Sequence, residues 1–226
     1  MTGNDELFDE WPEKYDQWFT TPLGSLIKRY EGELMSDYLR PALGEKILDA
    51  GCGTGVFTAG ILSSGSQVVG LDLSLPMLRL AESKFKEYPF HAILGNMISL
   101  PFKDCCFDKV VSMTALEFIP DAKRTVHELF RVAKRGGIIV VATLNRLSSW
   151  AVRRIEEGKR GHAIFSKAIF RSPDELRSLT EVKGIVRTAI HFQKGESPNK
   201  AMEIERQGQG NGWDQGAFVA VRWQKP

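Results

Sequence analysis

Three glycines alternate with other residues directly after a short apolar run and an acid. The segment KILDAGCGTGV, residues 46–56, passes through Asp49 into Gly51, Gly53 and Gly55. This pattern predicts a buried strand that ends in a tight turn and continues into a helix. Glycines adopt backbone angles that other residues avoid, and they let a ligand approach the main chain. Open α/β sheets bind nucleotide-like ligands at such turns, facing a helix N-terminus. A glycine-rich turn without a ligand is the alternative.

A second acid, Asp72, ends the next apolar run, QVVGLDL, roughly 20 residues beyond the glycine turn. From this position a carboxylate can accept hydrogen bonds from the hydroxyls of a bound ribose. The alternative role is to cap the following helix, but Ser74 can already do so. We therefore predict that Asp72 binds a ribose.

Two classes of enzyme combine a glycine loop with such an acid: dinucleotide dehydrogenases and methyltransferases that use S-adenosylmethionine. The dehydrogenase fingerprint is G-x-G-x-x-G. Here the spacing is Gly51-x-Gly53-x-Gly55, and no glycine follows one residue later. The glycine spacing alone does not decide between the two classes, so the downstream segments must.

The elements that position these residues are strands alternating with helices. Five strands are predicted, one beginning at Lys46 and the others at 67–73, 90–94, 107–113 and 138–144. Such alternation favours a parallel, doubly wound sheet. Two later strands, 185–192 and 217–223, have no helical pattern between them, so we expect them to pair antiparallel. The polar, glycine-rich segment 193–215 between them is predicted to be a loop. Helices are predicted over the following segments: 22–39, the residues after the glycine turn through Leu62, 75–86, 121–133, 147–157 and 172–179.

Composition excludes several classes of function. The chain has 226 residues, a net charge of +2 and 42% hydrophobic residues, which suits one α/β domain and gives no sign of a nucleic-acid or membrane partner. No apolar run approaches the roughly 20 residues that span a bilayer. Cys52, Cys105 and Cys106 form neither a disulfide framework nor a zinc motif. We expect a cytoplasmic, metal-free protein; the sequence leaves its oligomeric state open, with a homodimer as one option.

Five segments occur in register with the glycine turn and distinguish the two enzyme classes. They are ILDAGCGTG, VVGLDLSLPML, GNMISLPFKDCCFD, ALEFIPD and ELFRVAKRGGIIVVATLN. Together they resemble the class I S-adenosylmethionine-dependent methyltransferases, and within these the small-molecule group that includes the quinone-biosynthesis C-methylases. The resemblance is strong from Lys46 to about Asn145. It implies a Rossmann-like, three-layer αβα fold with a seven-stranded, mostly parallel sheet and an antiparallel C-terminal strand.

The resemblance also implies cofactor-binding roles, with S-adenosyl-L-methionine as cofactor and S-adenosyl-L-homocysteine as product. Asp49 and the backbone of Gly51, Cys52 and Gly53 would hold the amino-acid end, and Asp72 would bind the ribose. Leu73 and Met77 would pack on the adenine, Asn96 and the amide of Met97 would read its edge, and Thr114 would face the methionine portion. Asn96 departs from the Asp usual in the family, and a neutral acceptor should bind the exocyclic amine more weakly.

Methyl transfer from a sulfonium requires mainly in-line alignment and exclusion of water, so no metal and no catalytic triad are expected. Glu117, after the fourth strand, and His162, after the fifth, are the acceptor-side candidates. The alternative for Glu117 is an acid at a helix start. The basic cluster of Arg153, Arg154, Lys159 and Arg160 favours a solvated helix face over recruitment of an anionic acceptor.

The N-terminal segment contains aromatic residues that would be costly to leave exposed. Trp11, Tyr15, Trp18 and Phe19 lie within it. We predict a helical cap or lid over residues 1–45, covering the methionine end of the cofactor with Tyr15 in the site, and a cofactor-binding core over residues 46–226. The predicted function is methyl transfer to a small-molecule acceptor. RNA or protein methylation, or a cofactor-binding regulatory protein without catalysis, are the alternatives.

Overall fold

A single seven-stranded sheet organises the molecule. The computed structural model describes residues 8–9 and 12–226. The strand order is β3-β2-β1-β4-β5-β7-β6. The strands are β1 Lys46–Ala50, β2 Gln67–Asp72, β3 Phe90–Leu94, β4 Phe107–Met113, β5 Ala133–Leu144, β6 Ile185–Ala189 and β7 Phe218–Gln224.

Helices cover both faces of this sheet. In the described residues they are α1 Pro12–Trp18, α2 Pro22–Leu39, α3 Thr58–Leu62, α4 Leu75–Lys84, α5 Ala122–Val132, α6 Ser149–Lys159, α7 Pro173–Arg177 and α8 Pro198–Asn211. A short 3-10 helix spans Leu116–Phe118. Buried residues of α2, α3, α6 and α8 join one hydrophobic cluster, and those of α5 and α7 join the other. The predicted three-layer αβα arrangement is confirmed.

The first five strands are parallel, as predicted from their alternation with helices. Strand β1 pairs with β2 and β4, so the ends of these strands meet at one edge of the sheet. Strand β7 runs antiparallel to both β5 and β6. The antiparallel pairing of β6 with β7 agrees with the expectation for the last two strands.

The reason given for that antiparallel pairing was wrong, because the segment 193–215 contains helix α8. Its sequence is polar and rich in glycine, so helix propensity is weak and tertiary contacts supply the stability. Glu205 of α8 accepts a hydrogen bond of 2.7 Å from the backbone amide of His191. Gly208 packs so closely on the His191 ring that a Cβ would lie 2.3 Å from it. Gly208 therefore lowers the helix propensity of this segment, but the contact with His191 leaves no room for a side chain at this position.

The N-terminal helices pack on the core. Ile27, Leu34 and Leu39 of α2 are buried in the same cluster as the residues of α3 and the sheet. Helix α1 is attached to the glycine turn, since the Thr54 hydroxyl donates a hydrogen bond of 2.6 Å to Asp16. Trp11 and residues 1–7 lie outside the described residues, so what the sequence predicts for them stays a prediction.

Two further properties bear on function. Among the residues that the structure covers, every helix is too short or too polar to span a bilayer. In the same part of the chain, no group of three or more His, Cys, Asp and Glu side chains is arranged to hold a metal ion.

Candidate active site

The glycine turn at the end of β1 has the backbone that its sequence requires. Gly51, Gly53 and Gly55 all have positive φ angles, of 77°, 53° and 77°. A Cβ on Gly51 would lie 2.4 Å from the Cβ of Ala115, whereas a Cβ on Gly53 would have no neighbour within 4 Å. Gly51 is therefore needed for packing, and Gly53 leaves open space above the turn.

Asp72 holds this turn against the end of β2. Its Oδ2 accepts a hydrogen bond of 2.8 Å from the backbone amide of Gly53, and its Oδ1 accepts one of 2.9 Å from the amide of Ser74. Burial raises the pKa of Asp72, and these backbone hydrogen bonds oppose that rise. Ser74 caps α4 by accepting from the amide of Met77 at 3.3 Å. Each oxygen of Asp72 retains acceptor capacity for a ligand hydroxyl.

Asp49 is a buried carboxylate without a cationic partner among the described residues. Its Oδ2 accepts a hydrogen bond of 2.6 Å from the Thr58 hydroxyl. Burial raises its pKa to about 6, with a contribution from Asp72, and the Thr58 hydrogen bond opposes the rise. Burial likewise raises the pKa of the Cys52 thiol well above its ordinary value. A ligand with a positive charge would compensate the carboxylate at this position.

One cavity, which we call the glycine-loop cavity, brings together every residue predicted to hold the cofactor. Those lining residues are Tyr15, Asp49, Gly51, Cys52, Gly53, Asp72, Leu73, Met77, Asn96, Met97 and Thr114. The remaining lining residues were not predicted from the sequence; they are Phe8, Val56, Phe57, Ser74, Gly95, Met113, Ala115, Phe118 and Ile119. Four of them, Ser74, Gly95, Met113 and Ala115, directly precede or follow a predicted residue in the chain, so proximity to the motifs was an available signal.

Polar residues on the predicted adenine side already form hydrogen bonds within the protein. Asn96 accepts a hydrogen bond of 2.9 Å from the amide of Ile98 through its side-chain oxygen, which leaves one lone pair for a ligand. Leu73 is half-exposed, whereas Met77 and Met97 are buried. Ser74 donates a hydrogen bond of 2.6 Å to Asp9, so the N-terminal segment reaches this side of the cavity. No sequence motif indicated the contact with Asp9.

A second cavity of about 440 Å³ adjoins the first, and we call it the aromatic cavity. Its aromatic lining residues are Phe8, Tyr15, Trp18, Phe19, Phe118, Trp150 and Phe165. Phe8, Tyr15, Thr114 and Phe118 line both cavities. Glu117 and His162, the two predicted acceptor-side residues, both line the aromatic cavity.

Comparisons with known proteins identify the family. A family model described as a methyltransferase domain matches residues 48–141. A demethylmenaquinone methyltransferase of Streptomyces avermitilis is 34% identical, over 77% of this chain and 75% of that protein. The chain belongs to the S-adenosylmethionine-dependent methyltransferases.

Two further comparisons extend over nearly the whole methyltransferase. An uncharacterised protein of Methanocaldococcus jannaschii is 30% identical over 97% of this chain and 98% of its own length. The crystal structure of an S-adenosylmethionine-dependent methyltransferase of Thermotoga maritima matches with a TM-score of 0.73 and 22% identity, covering 99% of this chain and all of that one. That structural likeness shows that the two proteins share a fold.

Thr114 lies where the two cavities of the methyltransferase meet, and its backbone is strained. Its φ of 47° is in the left-handed region, which β-branched residues rarely adopt. Its amide donates a hydrogen bond of 2.9 Å to the carbonyl of Ala142, which holds the conformation. The Thr114 side chain also hydrogen-bonds the hydroxyl of Tyr15. Burial raises the pKa of Tyr15, and this hydrogen bond opposes the rise. Such strain is typical of functional positions.

Glu117 is a buried acid that faces the aromatic cavity of the methyltransferase. Only 1% of the residue is exposed, and its Oε2 accepts a hydrogen bond of 2.9 Å from the Thr143 hydroxyl of β5. Burial raises its pKa to about 7, while Thr143, Arg171 and Arg154 oppose the rise. A carboxylate with this pKa can accept a proton near neutral pH.

His162 lines the same cavity but is engaged locally. Its ring stacks on Phe165 with the centroids 4.4 Å apart, and its Nδ1 accepts from the Phe165 amide at 3.4 Å. His191, by contrast, pairs with Glu205, with Nδ1 and Oε2 3.1 Å apart and both side chains buried.

The basic cluster of α6 divides into two pairs. Arg153 and Arg154 line the aromatic cavity, contrary to the solvated face that the sequence favoured. Lys159 and Arg160 are exposed, as expected. The guanidinium of Arg154 lies 5.3 Å from the ring centroid of Trp150 and 5.6 Å from that of Phe165. Packing α6 against the N-terminal helices buries one side of it, which a count of charges along the sequence does not reveal.

Glu31 lies in the middle of α2 and lines the aromatic cavity, although nothing in the sequence marked it as a site residue. Its neighbours Arg29 and Glu33 form an exposed ion pair of 2.8 Å, so this stretch of the sequence resembles an ordinary solvated helix face. Glu31 itself is 5% exposed, and burial raises its pKa to about 8. The apolar periodicity of α2, with Ile27 and Leu34 on the buried side, was the available signal.

Proposed function

We propose that this methyltransferase transfers a methyl group from S-adenosylmethionine directly to a small-molecule acceptor held in the aromatic cavity. The observation that carries the proposal is that the two cavities share Phe8, Tyr15, Thr114 and Phe118. A donor in one cavity and an acceptor in the other would thus meet at these four residues, which is the arrangement that in-line transfer needs.

The residues of the glycine-loop cavity fit the cofactor by three properties. The space above Gly53 admits a ligand against the main chain. Asp49 offers a buried carboxylate without a cationic partner in the described chain, suited to an ammonium group. Asp72 offers acceptor capacity, and its separation from the turn along the sequence is typical of an acid that binds a ribose. In this proposal Leu73 and Met77 pack on the adenine, and Asn96 and the Met97 amide bind its edge. The bound cofactor supplies a methyl group activated by a sulfonium.

The chain's own share in the reaction is to align the acceptor, exclude water and receive a proton. The aromatic side chains around the cavity exclude water and orient a planar or apolar group. Glu117 is the proposed base, because it is buried, faces the cavity and has a pKa of about 7. His162 is the weaker candidate, since its ring is stacked on Phe165.

The size of the aromatic cavity favours a small acceptor over RNA or a folded protein. Its lining includes Trp18 at the end of α1, Phe19 directly after it, and Trp150 of α6. A volume of about 440 Å³ is within the range of small-ligand sites, roughly 300–1,000 Å³. Membership of the methyltransferase family supports catalysis over a purely regulatory role. We place the activity in the cytoplasm, in line with the composition.

A metabolite extract provides the direct test. The protein is incubated with methyl-labelled S-adenosylmethionine and a small-molecule extract, and the labelled product is identified by mass spectrometry. We expect one labelled small molecule in excess, whose formation Glu117→Gln reduces at least tenfold without weakening cofactor binding. The rate for the unmodified protein should rise as the pH passes through about 7, because Glu117 becomes ionised there. Label found only in added RNA or protein would refute the proposal.

A further inference from the structure

Glu31 is the one acid of the aromatic cavity that has neither a hydrogen-bond donor nor an ion-pair partner among the described residues. By contrast, Glu117 accepts from Thr143 at 2.9 Å. Glu157, at the edge of the same cavity, lies 3.3 Å from the Nε of Arg153. Glu31 is 5% exposed and lines the cavity, so its carboxylate faces the enclosed space and not the surface. Burying a carboxylate without a hydrogen-bond donor costs free energy, so a ligand that supplies a donor would stabilise it.

Arg154 is the positive charge that acts on Glu31, and it also acts on Glu117. Burial is the largest influence on its pKa, and the negative charge of Glu117 raises it further. Arg154 opposes both effects but must also serve as a counter-charge to Glu117. The pKa of Glu31 nevertheless remains at about 8. One arginine is thus shared between two buried carboxylates, and an additional cation near Glu31 would stabilise the cavity.

The arginines of the cavity lie against its aromatic rings and its acids. The Nε of Arg153 lies 3.3 Å from Oε1 of Glu157 without forming a hydrogen bond, and the Arg153 guanidinium lies 5.4 Å from the Trp150 ring centroid. Arg154 lies over Trp150 and Phe165 and faces the two buried acids. Lys194 is exposed, so water screens its charge. An anion entering the cavity would meet the negative charges of Glu31 and Glu117.

We infer that the methyl acceptor is an organic amine, whose ammonium group is received by Glu31 among the aromatic side chains of the cavity. This inference rests on the proposed function and specifies its substrate class. Aromatic faces attract cations within about 6 Å of the ring centroid, and the rings around Arg154 already do so. Glu31 therefore acts as a specificity residue that binds the acceptor, and Glu117 acts as the base.

The proposed step is balanced by groups already present. Glu117 takes a proton from the ammonium, and this leaves a lone pair on the amine nitrogen. That lone pair forms a new C–N bond to the methyl carbon as the C–S bond breaks. The electron pair of the broken bond stays on sulfur, which becomes a neutral thioether. The proton on Glu117 then passes to water when the product leaves.

Binding of three matched probes tests the inference. Benzylamine, benzyl alcohol and benzoate share one ring and differ in charge, and each is titrated calorimetrically into the protein saturated with S-adenosylhomocysteine. We expect benzylamine to bind at least tenfold more tightly than the other two. Glu31→Gln should abolish that preference, because the amide has the same shape without the charge. Glu33→Gln is the control, since Glu33 is exposed on the same helix and should leave the preference unchanged.

Transfer to the natural acceptor provides the second measurement. The metabolite extract is separated by cation exchange into amines and all other compounds, and each fraction is assayed with labelled S-adenosylmethionine. We expect label in the amine fraction, with Glu31→Gln raising the KM for the acceptor at least tenfold and leaving cofactor affinity unchanged. Label in the other fraction, or full activity and probe preference in Glu31→Gln, would overturn the inference and leave the proposed function intact. Absence of transfer from both fractions, with the cofactor bound, would refute both.

Discussion

The backbone amide of Gly53 donates a hydrogen bond of 2.8 Å to Oδ2 of Asp72. This bond joins the turn after β1 to the end of β2, and the second oxygen of Asp72 binds the amide of Ser74 at the start of α4. One carboxylate thus fixes the two segments that border the proposed ribose site. A ligand that binds Asp72 would find the glycine turn already in position.

Replacing Asp72 should weaken both the fold of the turn and cofactor binding. Asp72→Ala removes the acceptor of two backbone amides and of the proposed ribose hydroxyls. Since a hydrogen bond to a charged group contributes about 1.5–3 kcal/mol, we expect at least a tenfold loss of S-adenosylmethionine affinity by calorimetry. Asp72→Asn, which keeps one acceptor oxygen, should lose less. Unchanged affinity in a folded Asp72→Ala protein would refute the ribose assignment, and preferential binding of a nicotinamide dinucleotide would contradict the proposed cofactor.

Cofactor affinity should depend on pH through Asp49. This carboxyl has a pKa of about 6, so it is ionised above that pH and neutral below it. If its charge binds the ammonium of the cofactor, affinity falls as the pH is lowered through about 6. Thr58→Val removes the hydrogen bond that lowers this pKa and should move the midpoint to higher pH. Calorimetric titrations from pH 5 to about 8 measure both effects. A profile that is flat in both proteins would contradict the role of Asp49.

Two glycines of the turn should respond differently to the same substitution. Gly51→Ala places a Cβ 2.4 Å from Ala115 at a φ of 77°, so strain in the backbone and overpacking add. We expect a loss of about 2–5 kcal/mol in the free energy of unfolding. Gly53→Ala has a positive φ but no neighbour within 4 Å, so about 1–2 kcal/mol is expected.

Gly53→Ala should affect cofactor binding more than it affects stability. Its added methyl group would stand in the glycine-loop cavity, so cofactor affinity should fall at least tenfold although most of the stability is kept. Denaturant unfolding and calorimetry measure the two quantities separately. Equal losses of stability in the two variants would show that the contact with Ala115 does not matter.

The N-terminal segment is predicted to move as a lid. The glycine-loop cavity has a volume of about 150 Å³, below the roughly 300 Å³ of small-ligand sites, so a cofactor would enter more readily if its cover moved. That cover includes Phe8 and Tyr15, and Asp16 fastens α1 to Thr54. Limited proteolysis should cut between Glu10 and Leu26 readily in the empty protein and slowly with S-adenosylhomocysteine bound.

Controls distinguish a lid from permanent packing. Asp16→Asn weakens the attachment of α1 to Thr54 and Lys84 and should speed cleavage in the empty protein. Cleavage near α8, at the other end of the sheet, should not respond to the ligand. Identical cleavage in both states would favour static packing on the core. Full methyl transfer by a chain that starts at Arg40 would refute the lid.

The sequence by itself determined the order of strands and helices through β5 and brought the predicted cofactor residues to one cavity. Alternating strands and helices are local patterns, and parallel strands bring their ends to one edge of the sheet. Asp49, Asp72 and Asn96 follow three such strands closely or end them, so one edge collects them without further information. The family resemblance rests on the same segments, so the residues that it implied for the cofactor lie at this edge too.

Only the tertiary structure decided the acceptor side. The aromatic cavity is built from α1, α2, the segment after β4, α6 and the residues around His162, which are far apart in the chain. Glu31 and Arg154 have the local sequence of solvated helix residues, and α8 lies in a segment with weak helix propensity. Their burial depends on which surfaces of separate helices face each other. That pairing is set by the free energy of packing distant segments, which no local periodicity records.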